Sequence, residues 1–241
     1  MSEFTTTAPK QSGVIEDLLE VLWSPAAVFD RTRDRKAGMY LLVLAIVGLV
    51  IVVATGSLVQ PYIDAGADLQ MALAAKSGRP IPEGAANMTR NISTYAYYAS
   101  PLLFIPIGAL LSALFIKWGG KTMSAPLRYG QALTIAAVSS SPRLFGYLTT
   151  AVQGAVLDTT NVRSLADASL GPARFVDPYA ASTVLHTFLM TIDVFSVWQC
   201  VLIAIAVSVV ARVERTTGAL VALIAWALGA ALTLIPGLLA S

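Results

Sequence analysis

The stretch that decides the fold runs from Val184 to Ala211 and reads VLHTFLMTIDVFSVWQCVLIAIAVSVVA. It carries no charge from Val194 onward, and at about 1.5 Å of helical rise per residue it crosses a hydrocarbon core of roughly 30 Å with some tilt. A short polar turn, Arg212 to Arg215, separates it from a second apolar run, Gly218 to Ala240. Because lipid offers no hydrogen-bond partner for an open sheet edge, we expect the two runs to form an antiparallel helical hairpin.

The composition of the whole chain indicates the same class of protein. Hydrophobic residues make up 56% of the 241 residues, charged residues only 12%, and the mean hydropathy is +0.71. A typical soluble domain has about twice that share of charged residues. The sequence therefore predicts an all-α, polytopic membrane protein surrounded by the lipid bilayer.

Hydropathy predicts five membrane spans, at residues 38–58, 101–118, 129–152, 184–211 and 218–240. Together they make a membrane domain over residues 37–241, with two long loops at 60–99 and 153–182. Lysine and arginine favour the side of the N-terminus ten to five, and Arg143 within the third span is the last of the 16. The positive-inside rule then predicts a cytoplasmic N-terminus and an external C-terminus.

The segment before the first span is polar and then amphipathic. Residues 1–12 are predicted to be disordered, and residues 13–36 to form cytoplasmic amphipathic and juxtamembrane helices. The first helix has its apolar side chains on one face and its acidic ones on the other, namely Ile15, Leu18, Leu19 and Leu22 against Glu16, Asp17 and Glu20. We expect the apolar face to pack on the protein itself rather than in the headgroup plane, because the acidic face is not attracted to anionic lipid.

A short cluster of mixed charge lies immediately before the first span. Its cations are Arg31, Arg33, Arg35 and Lys36, and its anions are Asp30 and Asp34. A cluster so short and so mixed in sign is typical of a segment that sets membrane orientation, and we predict no nucleic-acid partner.

Two charges, Arg143 and Asp193, lie inside predicted spans, where each is costly unless paired or hydrated. Arg143 precedes the end of its span by nine residues, and Asp193 follows the start of its span by nine. Each charge is therefore expected about 14 Å below the same membrane edge. Matched depth on antiparallel neighbours predicts a salt bridge between them, and the alternative is part of a proton or ion pathway.

Residues with catalytic or metal-binding chemistry are few. His186 and Cys200, the one histidine and the one cysteine, are fourteen positions apart in a single span, or roughly 21 Å, and cannot share a metal. The sequence has no Gly-rich phosphate loop and no serine-nucleophile elbow. The serines before Pro142 can satisfy carbonyls freed by the missing N–H of proline, which is a structural role. We therefore predict no enzyme, no metal and no cofactor.

Small residues recur at four-residue spacing in the last two spans. Ala204 with Ser208, and Ala225 with Gly229, would allow these helices to approach closely. We expect leucine at Gly229 to disrupt that contact.

Several short motifs, in a fixed order, resemble those of one known family. They are Ser24-Pro25-Ala26-Ala27-Val28-Phe29, Tyr129-Gly130-Gln131-Ala132-Leu133 with Pro142 after the serines, Phe195-Ser196-Val197-Trp198, and Thr217-Gly218-Ala219-Leu220 with Trp226. In this order the motifs resemble the bacterial Yip1-domain proteins from about residue 14 onward.

The resemblance to the Yip1 family implies an integral protein of the bacterial cytoplasmic (inner) membrane with no enzymatic activity. In eukaryotes the family is linked to vesicle traffic and membrane shaping, but the Asp-Leu-Tyr-Gly-Pro motif of that branch is absent here. The resemblance favours a membrane-organising or partner-binding scaffold that contacts other membrane proteins or itself. The alternative is a small transporter or channel that uses Arg143 and Asp193.

Overall fold

The computed structural model describes residues 12–239, and this part of the chain is helical with no strand. Its helices are α1 (Val14–Glu20), α2 (Pro25–Thr32), α3 (Gly38–Lys76), α4 (Glu83–Thr122), α5 (Tyr129–Val138), α6 (Pro142–Val156), α7 (Thr183–Met190), α8 (Val194–Ala211) and α9 (Arg215–Leu239). Two short 3₁₀ turns, Leu165–Ala168 and Pro172–Phe175, lie between α6 and α7. The all-α prediction is confirmed. The predicted disorder falls on residues 1–12, and all but the last of these lie outside the described residues.

In the described part, four helices are long and apolar enough to cross a membrane: α3, α4, α8 and α9. The predicted third span, 129–152, is not one of them, because the chain breaks between Val138 and Pro142 into α5 and α6. The predicted fourth span, 184–211, is broken as well, and only its second part, α8, is long enough to cross. Polar side chains form a turn in the middle of each of these two predicted spans. A mean hydropathy taken over a window of residues does not detect such turns.

Helices α3 and α4 are far longer than the spans predicted at 38–58 and 101–118. The predicted loop over 60–99 is wrong, because only residues 77–82 separate the two helices. Each helix is roughly 58–60 Å long at 1.5 Å per residue, about twice the hydrocarbon thickness. Pro61 lies inside α3, and Pro101 and Pro106 lie inside α4, so none of these prolines ends its helix.

The parts of α3 and α4 that continue past the apolar segments are held together by polar contacts. Gln60 Nε2 donates to Asp64 Oδ1 at 2.9 Å and to Thr94 Oγ1 at 3.1 Å. Arg90 pairs with Asp68 at 2.8 Å. We call this helical pair, residues 60–100, the outer hairpin. Side chains that find hydrogen-bonding partners in each other and in water extend a helix beyond the point where its apolar pattern stops.

The outer hairpin and the residue before it share a second small core with α6 and with the segment that follows α6. Val59, Tyr62 and Ile63 of α3 are buried against Ala151 and Ala168. The predicted loop 153–182 is therefore packed against the helices, and we call this end of the bundle the loop face. The opposite end, which carries α1 and α2, is the N-terminal face.

The predicted faces of helix α1 are only partly right: Leu18 is buried in the core and Glu16 is exposed, as expected, but three other residues depart from the prediction. Asp17 on the predicted solvent face is fully buried, whereas Ile15 and Leu19 on the predicted packing face are 62% and 52% exposed. Asp17 Oδ2 accepts from Arg35 Nη1 at 2.6 Å and from the Tyr40 hydroxyl at 2.6 Å, and Oδ1 accepts from Arg31 Nε at 2.8 Å. A carboxylate can be buried when several donors replace its water, and hydrophobic periodicity does not detect those donors.

The same cluster of charges continues to the edge of α1. Arg31 Nη2 also donates to Glu20 Oε2 at 2.5 Å. That hydrogen bond lowers the pKa of Glu20 below its usual value and raises the pKa of Arg31. The basic cluster before the first span thus holds α1 and α2 against the start of α3. This structural role is in addition to the predicted role in membrane orientation.

Helices α8 and α9 form the predicted hairpin, but their closest approach is not at the predicted glycine. A Cβ at Gly218 would overlap Ser208 Oγ and the carbonyl oxygen of Ala204, so Ala204 and Ser208 pack against Gly218. A Cβ at Gly229 would have no atom within 4 Å. The predicted face of α8 is correct, but the closest approach of α9 is at Gly218 and not at Gly229, which lies on the same side of α9 three turns further along. Arg212, in the left-handed region at φ 56°, ends α8 and sets where α9 begins.

Candidate functional site

The break between α5 and α6 is built from three buried serines and a proline. Ser140 Oγ donates to the Ala136 carbonyl at 2.8 Å, and Ser141 Oγ donates to the Val138 carbonyl at 2.7 Å. Pro142 occupies the first turn of α6, where its missing N–H costs nothing. The predicted role, which is to satisfy the carbonyl freed by the proline, is found for Ser141, whereas Ser139 Oγ is buried with no hydrogen-bond partner in residues 12–239.

The break between α7 and α8 places Asp193 at a helix start. Asp193 Oδ1 accepts from the Ser196 N–H at 2.6 Å, and Ser196 Oγ accepts from the Asp193 N–H at 2.8 Å. This reciprocal capping satisfies N–H groups that have no partner within the helix. Asp193 is therefore an N-cap between two helical segments, and the prediction that it lies within a continuous span is wrong.

Arg143 lies one residue after Pro142 and is anchored by an amide. Its Nε donates to Gln199 Oε1 of α8 at 2.8 Å, and Gln199 Nε2 in turn bonds Ser140 Oγ at 3.3 Å. Within residues 12–239, Arg143 forms no ion pair with Asp193 within 4.0 Å, so the predicted direct salt bridge is not made. The reason is that the cap bonds hold the Asp193 carboxylate at the backbone of α8. Gln199, which the sequence did not single out, takes the place of the carboxylate.

Arg143 and Asp193 do line one cavity of about 610 Å³. Its walls come from α4, α6, α8, α9, the last residue of α7 and the first 3₁₀ turn, and they are mostly apolar. Arg143 is exposed, and its side chain forms part of the cavity lining. The predicted common depth of the two charges stays a prediction, and the structure adds the open space that they share.

The residues that carried the family resemblance have structural roles. Pro25 begins α2, and Phe29 is 1% exposed in the main core. Tyr129 begins α5 and donates from its hydroxyl to the Leu110 carbonyl at 3.3 Å. The carbonyl of Gly130, next in α5, accepts from Thr134 Oγ1 at 3.1 Å.

The remaining motif residues lie around the cavity. Phe195 packs beside Gly146 of α6, where a Cβ would lie 3.5 Å from its ring. Trp198 stacks on Phe145 with ring centroids 6.1 Å apart. With Pro142 at the start of α6, these contacts hold α6 against α8 and so fix the position of Arg143.

The geometry offers no sign of metal chemistry. No group of three or more His, Cys, Asp and Glu side chains within residues 12–239 is placed to hold a metal ion. What the cavity does offer is one cation, one anion and a mostly apolar wall.

A comparison with protein-family models identifies the Yip1 domain over residues 19–235, nearly the whole chain. The chain belongs to the Yip1 domain family. The resemblance recognised in the sequence motifs is thus confirmed, and the four long apolar helices agree with an integral membrane protein.

One relative of this Yip1-domain protein is the membrane protein YknW of Bacillus subtilis (strain 168). The two are 26% identical over 242 residues, which cover 98% of this chain and 97% of the relative. No solved structure matches the chain significantly. The Yip1 family is not known as enzymatic.

Proposed function

We propose that this Yip1-domain protein is a non-enzymatic scaffold of the bacterial cytoplasmic membrane that organises its surroundings by self-association through α4. The observation that carries the proposal is an apolar stripe on the outer hairpin. Met88, Ile92 and Tyr95 are 64%, 56% and 72% exposed, and their spacing puts them on one face of α4. Exposed apolar patches outside the hydrocarbon core mark interaction surfaces.

A second copy of the chain fits this stripe better than an unrelated protein. Two copies in one membrane hold the same residues at the same depth, so each stripe meets its own counterpart across a two-fold axis. The exposed neighbour Asn91, at the edge of the stripe, is uncharged, so it brings no like charges together on pairing. The stripe also continues into the apolar part of α4 at Leu102 and Leu103, which are 47% and 52% exposed.

Cysteine crosslinking in native membranes tests the self-association. In a Cys200→Ser background, which removes the one native thiol, Ile92→Cys should give a disulfide-linked dimer when an oxidant is added. Asn87→Cys is the matched control, because Asn87 is exposed on the same helix about 100° away from the stripe. Adding Ile92→Glu to a Tyr95→Cys variant should abolish its dimer, and adding Asn87→Glu should not. Equal crosslinking at positions 87 and 92 would contradict the pairing.

We also infer five crossings with the N-terminus inside, α5 and α6 together making the third. Arg128 at the start of α5 pairs with Asp34 on the N-terminal face, and Gly154 near the end of α6 lies against Leu58 near the loop face. A reporter fused after Ser241 should therefore be external, and one inserted in the turn 212–215 should be cytoplasmic. Two reporters on the same side would contradict the five-crossing path.

The second candidate is a small transporter, and the two broken helices favour it. Interrupted helices that meet near mid-membrane form the substrate sites of many transporters. Flux into proteoliposomes that depends on Arg143 and Asp193 would support it. Variants Arg143→Gln and Asp193→Asn should leave the α4 crosslink unchanged, so the two functions can be separated in one set of proteins.

A further inference from the structure

The cavity contains a cation and an anion that both retain hydrogen-bonding capacity. Arg143 uses Nε for Gln199, and in the part of the chain from 12 to 239 its Nη1 and Nη2 have no hydrogen-bond partner. Asp193 uses Oδ1 for the cap of α8, and its Oδ2 likewise has no partner in that part. Charged groups within the membrane are costly when they lack hydrogen-bond partners. A cation and an anion that line the same cavity therefore favour a ligand that carries both charges.

The rest of the cavity fits an apolar chain. Its volume of about 610 Å³ is in the range of small-molecule pockets, and Phe104, Leu111 and Leu232 are among its apolar lining. Helices α4 and α9 pack closely at Gly119, where a Cβ would lie 3.3 Å from Ile224. Beside Gly108 and Gly229 the space is open, with no atom within 4 Å of a Cβ. The wall between α4 and α9 therefore has room for an acyl chain beside the charged groups.

We propose that this cavity binds a zwitterionic phospholipid of the phosphatidylethanolamine class. The phosphate binds the two free guanidinium nitrogens of Arg143, a geometry that arginine offers in bidentate form. The primary ammonium donates to Oδ2 of Asp193, and an acyl chain lies along the wall formed by α4 and α9. Gln199 holds the guanidinium in place, so it is a positioning residue for the phosphate.

The two charges together explain why this headgroup is favoured over its relatives. A phosphatidylglycerol supplies the phosphate but leaves Asp193 without a cation and close to an anion. A phosphatidylcholine supplies both charges, but its trimethylammonium has no N–H to donate to Oδ2. The site therefore disfavours phosphatidylglycerol because of its charge, and phosphatidylcholine because it lacks a hydrogen-bond donor.

Lipid retention by the purified full-length protein tests the proposal. The three lipids, with identical acyl chains, are added at equal amounts to delipidated protein, and bound lipid is counted by native mass spectrometry. Phosphatidylethanolamine should be retained best and should raise Tm most. Arg143→Gln should weaken retention roughly tenfold, as expected for the loss of a charge-assisted hydrogen bond. Asp193→Asn keeps a good N-cap and should remove the preference over phosphatidylglycerol.

A cavity-filling variant locates the lipid. Gly229→Leu places a side chain in the open space and should abolish retention, whereas Gly66→Leu, at a glycine of α3 that also has free space around it, should not change it. Retention by Gly229→Leu at the level of the wild type would overturn the proposal, as would equal retention of all three lipids. Equal binding of soluble glycerophosphoethanolamine would overturn it too, because the apolar wall would then contribute nothing.

Discussion

Replacing Asp17 with alanine should destabilise the protein by about 3–5 kcal/mol, the range for removing one partner from a buried ion pair. Asp17 is fully buried and accepts hydrogen bonds from Arg31, Arg35 and Tyr40 at 2.6–2.8 Å. Without the carboxylate, two guanidinium groups and a hydroxyl lose a common acceptor at the place where α1 and α2 join α3. Thermal unfolding in detergent, followed by circular dichroism, measures the loss.

The matched control for Asp17 is its neighbour Glu16. Glu16 is exposed on the same helix, and among residues 12–239 its carboxylate accepts a hydrogen bond only from the Gly13 N–H, at 3.3 Å. Glu16→Ala should therefore cost less than about 1 kcal/mol. Asp17→Asn should fall between the two, because it keeps an acceptor oxygen and loses the charge. If Asp17→Ala were as stable as Glu16→Ala, the buried cluster would contribute nothing to the attachment of α1.

Leucine at Gly218 should cost about 3 kcal/mol or more, at the upper end of the range for overpacking a well-packed core. The new side chain would overlap the carbonyl oxygen of Ala204, which is backbone and cannot rotate away, as well as Ser208 Oγ. Relief requires α8 and α9 to separate along their length. The measured quantity is again Tm in detergent, together with the yield of folded protein.

Gly229→Leu is the paired control, and it reverses the expectation drawn from the sequence. The space beside Gly229 is open, so leucine there should change Tm little, because it makes no clash. Gly218→Ala should lie between the two leucine variants. Equal destabilisation by Gly218→Leu and Gly229→Leu would show that α9 packs as tightly at Gly229 as at Gly218.

The membrane helices were the most predictable part of this protein. The uncharged run over 194–211 and the apolar run after Gly218 must be helices in lipid, because an unpaired backbone is too costly there. The family motifs were also recognisable, because their order along the sequence follows the order of the helices. The extent of α3 and α4 was not predictable from hydropathy, because residues 60–100 extend these helices through polar contacts such as that of Arg90 with Asp68.

The sequence by itself determined that the chain is a bundle of apolar helices, and it marked Arg143 and Asp193 as charged residues inside predicted spans. Only the tertiary structure decided that Asp193 caps α8, that Gln199 anchors Arg143, and that the two charges face a shared cavity. The physical reason is the range of the forces involved. The free-energy cost of an unpaired backbone in lipid acts on each segment separately. A charged side chain, in contrast, is stabilised by whichever hydrogen-bonding groups the fold brings to it from distant parts of the chain.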